Sequence, residues 1–134
     1  MSVTEVKSPR LRQGEAARRE VLGDDYVERA EAATREFDAP FQELITEAAW
    51  GHLWARNDWT RRERSIVTIA LLAALGHTDE MAMHIRATVR TGATEGDIRE
   101  ALMHVAIYAG VPTANTAFRI AKQVFSDIAP GKPE

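Results

Sequence analysis

The stretch GHTDEMAMH, residues 76–84, joins two apolar segments of the chain and begins a helix. Thr78 is the predicted N-cap, because its hydroxyl can accept a hydrogen bond from a backbone N–H of the first turn. His77, Glu80 and His84 follow at positions i, i+3 and i+7, so on a helix they lie along one face. Two imidazoles and a carboxylate on one face can transfer protons near neutral pH.

The spacing leaves other interpretations of these residues open. Asp79 and Glu80 can be ordinary first-turn acids, which the helix dipole favours, and His84 can simply pack in a core. A zinc or iron site of His77, Glu80 and His84 is disfavoured, because the spacing spreads the outer pair too far for one ion unless His77 folds back from a loop.

Helical patterns extend on both sides of the stretch. Thr60 and Glu63 match a capping box, and the helix predicted over 61–75 is apolar on nearly all sides beyond Ile66, which is typical of a central helix. One helix is predicted over 78–91, with Gly92 as its stop. Further helices are predicted over 10–22, 24–35, 41–54, 94–109 and 112–128.

No segment shows sustained alternation of apolar and polar residues, so the sequence predicts an all-α fold of about six or seven helices. One domain is predicted over residues 1–134, with mobile ends at 1–9 and 129–134.

Composition excludes several classes of function. The chain has 134 residues, no cysteine and a formal net charge of −3, which excludes thiol chemistry, disulfides and thiolate metal sites. No basic tract appears, so a nucleic-acid partner is not expected. The longest apolar run, over 66–76, is too short to span a bilayer, and the N-terminus has no apolar signal core. We therefore predict a cytoplasmic protein without a membrane partner.

Three further side chains are candidates for a site. Arg64 lies near a helix N-terminus, where it can hold an anion or be a solvated charge. Trp50 can line a pocket or, with Trp54, cover the edge of the core. Tyr108 shares a helix face with His104, and this face is either exposed, subunit-facing or part of a pocket wall.

Between Ala49 and Phe118 the chain carries a combination of residues that is found together in one family. They are Ala49-Trp50-Gly51 with Trp54, Arg64-Ser65 before Thr68-Ile69-Ala70, Glu80 with His84, Gly92, Ile107-Tyr108, Gly110, Pro112 and Ala114-Asn115. In these residues the chain resembles the carboxymuconolactone decarboxylase family, within the alkyl hydroperoxidase D-like superfamily.

The chain also departs from its wider superfamily. The peroxidase relatives carry a Cys-x-x-Cys-x-x-x-His motif on this helix, whereas here His77 and Glu80 stand at the cysteine positions. Ser65 stands where those relatives keep a glutamate. These departures point to the decarboxylase branch, although His77 and His52 differ from what that branch leads us to expect.

The resemblance implies a helical subunit in a ring-like homo-oligomer, commonly a hexamer, with no metal and no organic cofactor. It implies loss of CO2 from 4-carboxymuconolactone, giving the 3-oxoadipate enol-lactone in protocatechuate catabolism. We predict His84 as the proton donor and Glu80 as the residue that orients it or raises its pKa. Arg64 and His77 are predicted to bind the substrate, with Tyr108 and Trp50 as pocket walls.

Two alternatives remain at this point. The chain can act on a different carboxylated lactone or a keto acid, or it can be a non-catalytic helical oligomer that binds a small acid.

Overall fold

The computed structural model describes residues 6–129, and between them the chain contains helices and no strand. The all-α prediction is confirmed. Of the predicted mobile ends at 1–9 and 129–134, residues 1–5 and 130–134 lie outside the described residues. Ser8 and Pro9 belong to the start of the first helix. The elements are α1 (Pro9–Leu22), α2 (Asp24–Ala33), α3 (Ala39–Ile45), a π-helix (Thr46–Trp54), α4 (Arg61–Leu75), α5 (Thr78–Arg86), α6 (Thr88–Thr91), α7 (Glu95–Tyr108) and α8 (Val111–Asp127).

The chain forms two compact units, one ending at Trp59 and one beginning at Thr60. The first unit holds α1, α2, α3 and the π-helix, and the second holds α4 to α8. That a single domain covers residues 1–134 stays a prediction.

In the first unit, α1 packs closely against the π-helix. The contact depends on two glycines, because a Cβ at Gly14 would collide with the backbone carbonyl of Thr46, and one at Gly51 with that of Arg10. The π-helix itself differs from the sequence prediction of one α-helix over 41–54. The wider turns of a π-helix could not be predicted from the sequence, because the spacing of the apolar residues in this segment also fits an α-helix.

In the second unit, capping boxes begin α4 and α7, and the one at α4 is the box that the sequence predicts. Thr60 accepts a hydrogen bond from the backbone N–H of Glu63, and Thr94 accepts one from that of Asp97. Asp97 also accepts two hydrogen bonds from Arg62, at 2.6 and 2.8 Å, which join α7 to α4. This guanidinium, together with backbone hydrogen bonding at Thr94, lowers the pKa of Asp97 to about 2.

The core of the second unit lies where α4, α5, α7 and α8 meet. Its most deeply buried members are Ile69, Met81, Ile85 and Leu102. Small residues on α8 allow close packing of the helices around them.

Two predictions for α4 and α5 are wrong. Helix α4 is not buried all round, since Val67, Leu71 and Leu75 are exposed on one face of it. The helix predicted over 78–91 is two helices, since α5 ends at Arg86 and the short α6 begins at Thr88. The pattern of apolar residues reports hydrophobicity and not the number of neighbours, so it could not show which face of α4 stays exposed among residues 6–129.

The N-cap of α5 is His77, and Thr78 is the first residue of the helix. The backbone N–H of Met81 donates to the His77 carbonyl oxygen at 2.9 Å, which closes the first turn of this helix. The predicted cap at Thr78 is thus displaced by one residue. His77 lies at the helix terminus, with its side chain exposed.

Candidate functional site

His84 is a buried imidazole in the last turn of α5. Its residue is 7% exposed, between Met81 and Ile85, which are completely buried. Burial removes water from the ring and disfavours its charged form, which lowers the pKa of His84 to about 4. At pH 7 the ring is therefore neutral in the protein without a ligand.

Glu80 lies one turn before His84 on the same helix, with its side chain exposed. The shared face follows from the four-residue spacing, as the sequence indicated. A charge pair with Glu80 would raise the pKa of His84, whereas the pKa is lowered. Desolvation is thus the dominant influence on the ring in this state. That Glu80 orients His84 stays a prediction.

Arg64 lies in the first turn of α4 and is buried, which disfavours the interpretation that it is a solvated charge. Its neighbour Ser65 is completely buried and donates a hydrogen bond to Thr91 or accepts one from it, at 2.7 Å between the hydroxyl oxygens. This bond fixes the start of α4 beside α6. Substrate binding by Arg64 stays a prediction.

Tyr108 ends α7 on the surface of the chain. It is 85% exposed, and its ring stacks on His104 with the centroids 6.3 Å apart and the planes at 11°. Within one chain Tyr108 therefore does not wall an enclosed pocket. The same exposure fits the subunit-facing alternative, which no feature of a single chain tests.

Trp50 belongs to the first unit, in the π-helix. It is buried with Trp54, and the two ring centroids lie 5.1 Å apart. This pairing is the core-edge arrangement that the sequence left open, and a role of Trp50 in a pocket stays a prediction. His52 is not part of this buried pair, since its side chain is exposed and hydrogen-bonds to Arg10.

Arg18 is a second buried arginine, and it was not among the residues predicted from the sequence. It lies on the buried face of α1, beside Ala17 and among Leu11, Gly14 and Val21. The sequence does indicate this burial, because the helical neighbours of Arg18 are apolar or small. The many other charged residues of α1 made this pattern difficult to recognise.

Among residues 6–129 no three His, Asp or Glu side chains come together as a group that could hold a metal ion. His77, Glu80 and His84 share a helix without forming such a cluster. No helix in the described part of the chain is long and apolar enough to cross a membrane.

A family model described as the carboxymuconolactone decarboxylase family matches residues 39–123. The chain belongs to this family. The matched segment includes all six residues that the sequence predicted for the site, and Arg18 lies outside it. The decarboxylase branch that the motif at 76–84 indicated is thereby confirmed at the level of the family.

Two curated relatives support membership in the carboxymuconolactone decarboxylase family. The chain is 43% identical to 4-carboxymuconolactone decarboxylase from Acinetobacter baylyi over 125 residues, which cover 92% of this chain and 93% of the relative. It is 38% identical to nitrosuccinic acid decarboxylase from Metarhizium robertsii over 116 residues, covering 87% and 81% of the two chains. Both relatives are named as decarboxylases, which places this chain among enzymes that remove CO2.

Proposed function

We propose that this protein is a decarboxylase that converts 4-carboxymuconolactone to the 3-oxoadipate enol-lactone. The observation that carries the proposal is the 43% identity to the enzyme of that name over nearly the full length of both chains. The structure supports it with a buried imidazole and a carboxylate on one face of α5.

The substrate supplies its own electron sink. The departing carboxylate sits on a ring carbon that is joined through a C=C bond to the lactone carbonyl. When the C–C bond breaks, its electron pair moves through the ring onto the carbonyl oxygen, and CO2 leaves. A proton must then be added to the ring carbon next to the carbonyl, so that one proton is consumed for each CO2 released.

His84 is the residue that we assign to deliver this proton. Because the ring is neutral at pH 7 without a ligand, protonation must accompany substrate binding. An anionic group within about 4–6 Å raises the pKa of a histidine by about 1–3 units, and this substrate has two carboxylates. The substrate thereby creates the acid that it needs, and the low pKa keeps the site uncharged until the substrate arrives.

The other predicted residues hold the substrate and the imidazole. Arg64 binds a substrate carboxylate, since a buried guanidinium offers paired donors with the matching geometry. His77, exposed at the start of α5, donates to the developing oxyanion. Glu80 positions His84, and Tyr108, which is exposed on one chain, lines the pocket only from a neighbouring subunit.

Two variants with matched controls test these roles. In His84→Gln we expect kcat to fall on the order of 100-fold or more, while the exposed control His104→Gln keeps normal turnover. In Glu80→Gln we expect a smaller loss, with Asp79→Asn, the adjacent exposed acid, as its control.

The pH dependence of kcat distinguishes a chemical role from a structural one. With His84 as acid, kcat is constant at low pH and declines as the pH rises through the pKa of the complex. Glu80→Gln should move this decline to lower pH, because a nearby carboxylate no longer favours the imidazolium. Normal turnover of both variants in correctly assembled protein would refute the site assignment.

A second candidate function is decarboxylation of nitrosuccinic acid or a related acid. It is favoured by the 38% identity to the enzyme of that name. A nitro group on the carbon that carries the carboxylate can also accept the electron pair, so the same acid catalyst suits both reactions. Parallel assays on both substrates decide between them by the ratio of the two kcat/KM values.

We infer that the enzyme acts as a homo-oligomer, and a hexamer is the arrangement that its family resemblance implies. Support comes from Val67, Leu71 and Leu75, which form an exposed apolar stripe with four-residue spacing along α4. A second copy would remove this surface from water. A cytoplasmic location stays a prediction of the sequence.

A further inference from the structure

The first unit contains a cavity of about 590 Å³ that the proposed reaction does not use. Its lining comes from α1, α2, α3 and the start of the π-helix. This volume lies within the usual range for small-molecule sites. The cavity lies entirely in the first unit, whereas Arg64, His77, Glu80 and His84 all belong to the second.

Arg18 is the buried charged side chain of this cavity. It is 9% exposed, and its guanidinium contacts two neutral oxygens at long distances. Nη1 donates to Thr46 Oγ1 at 3.5 Å, and Nη2 donates to Gln42 Oε1 at 3.4 Å. No residue between 6 and 129 accepts a hydrogen bond from its Nε. The Nε atom is itself buried, so a ligand can reach only the two terminal nitrogens, whose contacts to neutral oxygens are long. No carboxylate among residues 6–129 pairs with this guanidinium, which favours an anionic ligand.

The neighbours of Arg18 show what kind of anion fits. Thr46 donates its own proton to the Gln42 carbonyl oxygen at 2.7 Å, so its hydroxyl can only accept from Arg18. Gln42 accepts from Arg18 through Oε1, which leaves its amide N–H groups as further donors for a ligand. Leu11 and Val27 are apolar and contribute to the same lining.

The charges at the rim favour a small monoanion over a highly charged one. Lys7 pairs with Glu15 at 2.7 Å, and Arg19 pairs with Glu31 at 2.7 Å, so these two cations are already neutralised. Glu43 adds an exposed negative charge to the lining. A phosphate dianion would have Arg18 as its main partner and would face the Glu43 carboxylate, whereas a single carboxylate matches one guanidinium.

We propose that this cavity binds a small organic acid, with its carboxylate on the terminal guanidinium nitrogens of Arg18 and the Gln42 amide and its hydrocarbon chain toward Leu11 and Val27. It is a second binding site for a carboxylate, separate from the proposed catalytic residues. The proposal does not depend on which acid the enzyme decarboxylates.

Isothermal titration calorimetry with hexanoate as the probe tests the site. We expect hexanoate to bind the full-length protein saturably, with a Kd below about 10 mM. In Arg18→Gln affinity should fall about tenfold or more. Arg64→Gln should retain this binding, which separates the cavity from the candidate catalytic site. Arg29→Gln removes an exposed charge from the same unit outside the cavity lining and should also retain it.

Two further arms keep the test decisive if Arg18→Gln does not fold. Glu43→Gln, a surface substitution, should tighten hexanoate binding severalfold at low ionic strength, because one repulsive charge is removed. Hexanamide, the neutral analogue, should bind far more weakly than hexanoate. Equal binding of hexanamide, tighter binding of inorganic phosphate, weaker binding after Glu43→Gln, or no binding of hexanoate would each overturn the proposal.

Discussion

The burial of His84 makes a quantitative prediction about stability in mild acid. In the unfolded chain this imidazole titrates near pH 6.5, whereas burial lowers its pKa to about 4 in the folded protein. At pH 7 both states are neutral at this ring, and His84 adds almost nothing to the pH dependence. Below pH 6.5 the unfolded chain takes up a proton that the folded protein does not accept until about pH 4, so stability falls as the pH decreases.

The size of the effect follows from the two pKa values. Since one pKa unit corresponds to about 1.4 kcal/mol, the complete loss below pH 4 is about 3 kcal/mol. Between pH 7 and pH 5 the free energy of unfolding is expected to fall by about 2 kcal/mol of this total. A loss of this size is a large part of the total stability of a typical domain, and it is well above the error of a denaturation experiment.

Urea unfolding followed by circular dichroism at pH 7 and pH 5 measures this loss. Wild type, His84→Gln and His104→Gln are compared at one protein concentration, so that contributions from carboxylates and from assembly are shared. We expect wild type and His104→Gln to lose about 2 kcal/mol more than His84→Gln. If all three proteins lose the same free energy, His84 is not a buried neutral imidazole and our account of its protonation on substrate binding is wrong.

Two further predictions concern packing. Gly14→Ala and Gly51→Ala should each lower the free energy of unfolding by about 2–3 kcal/mol, since the added Cβ meets backbone atoms that cannot yield. The control Gly96→Ala, whose Cβ would meet only side-chain atoms, of Arg99 at 3.4 Å and of Thr94 at 3.6 Å, should keep or raise stability by up to about 1 kcal/mol. Leu71→Glu, at a residue 57% exposed on α4, should shift the protein to smaller species in light scattering. Lys122→Glu should not, and an unchanged mass for Leu71→Glu would exclude the α4 stripe as an interface.

Much of the local structure was predictable because its causes are local. The capping boxes at Thr60 and Thr94 form between residues three apart, so the sequence contains both partners. Gly92 ends α6 with a φ of 89°, a conformation that glycine adopts without steric cost. The shared face of Glu80 and His84 followed in the same way from helical periodicity.

The features that could not be predicted from the sequence depend on atoms far away along the chain. The pKa of His84 depends on how much water the surrounding helices exclude. The presence of Glu80 four residues earlier in the sequence does not indicate this degree of burial. The exposure of Leu71 depends on which face of α4 lacks a neighbour, and apolar spacing is identical for a core and for an interface.

The sequence by itself determined the all-α class, the capping box at Thr60 and the family, because hydrogen-bonding partners and characteristic residues lie within short stretches of chain. Only the tertiary structure decided that His84 is neutral, that Ser65 bonds to Thr91, and that Arg18 faces a cavity. The physical reason is that desolvation and long-range hydrogen bonding depend on three-dimensional packing, which no local pattern specifies.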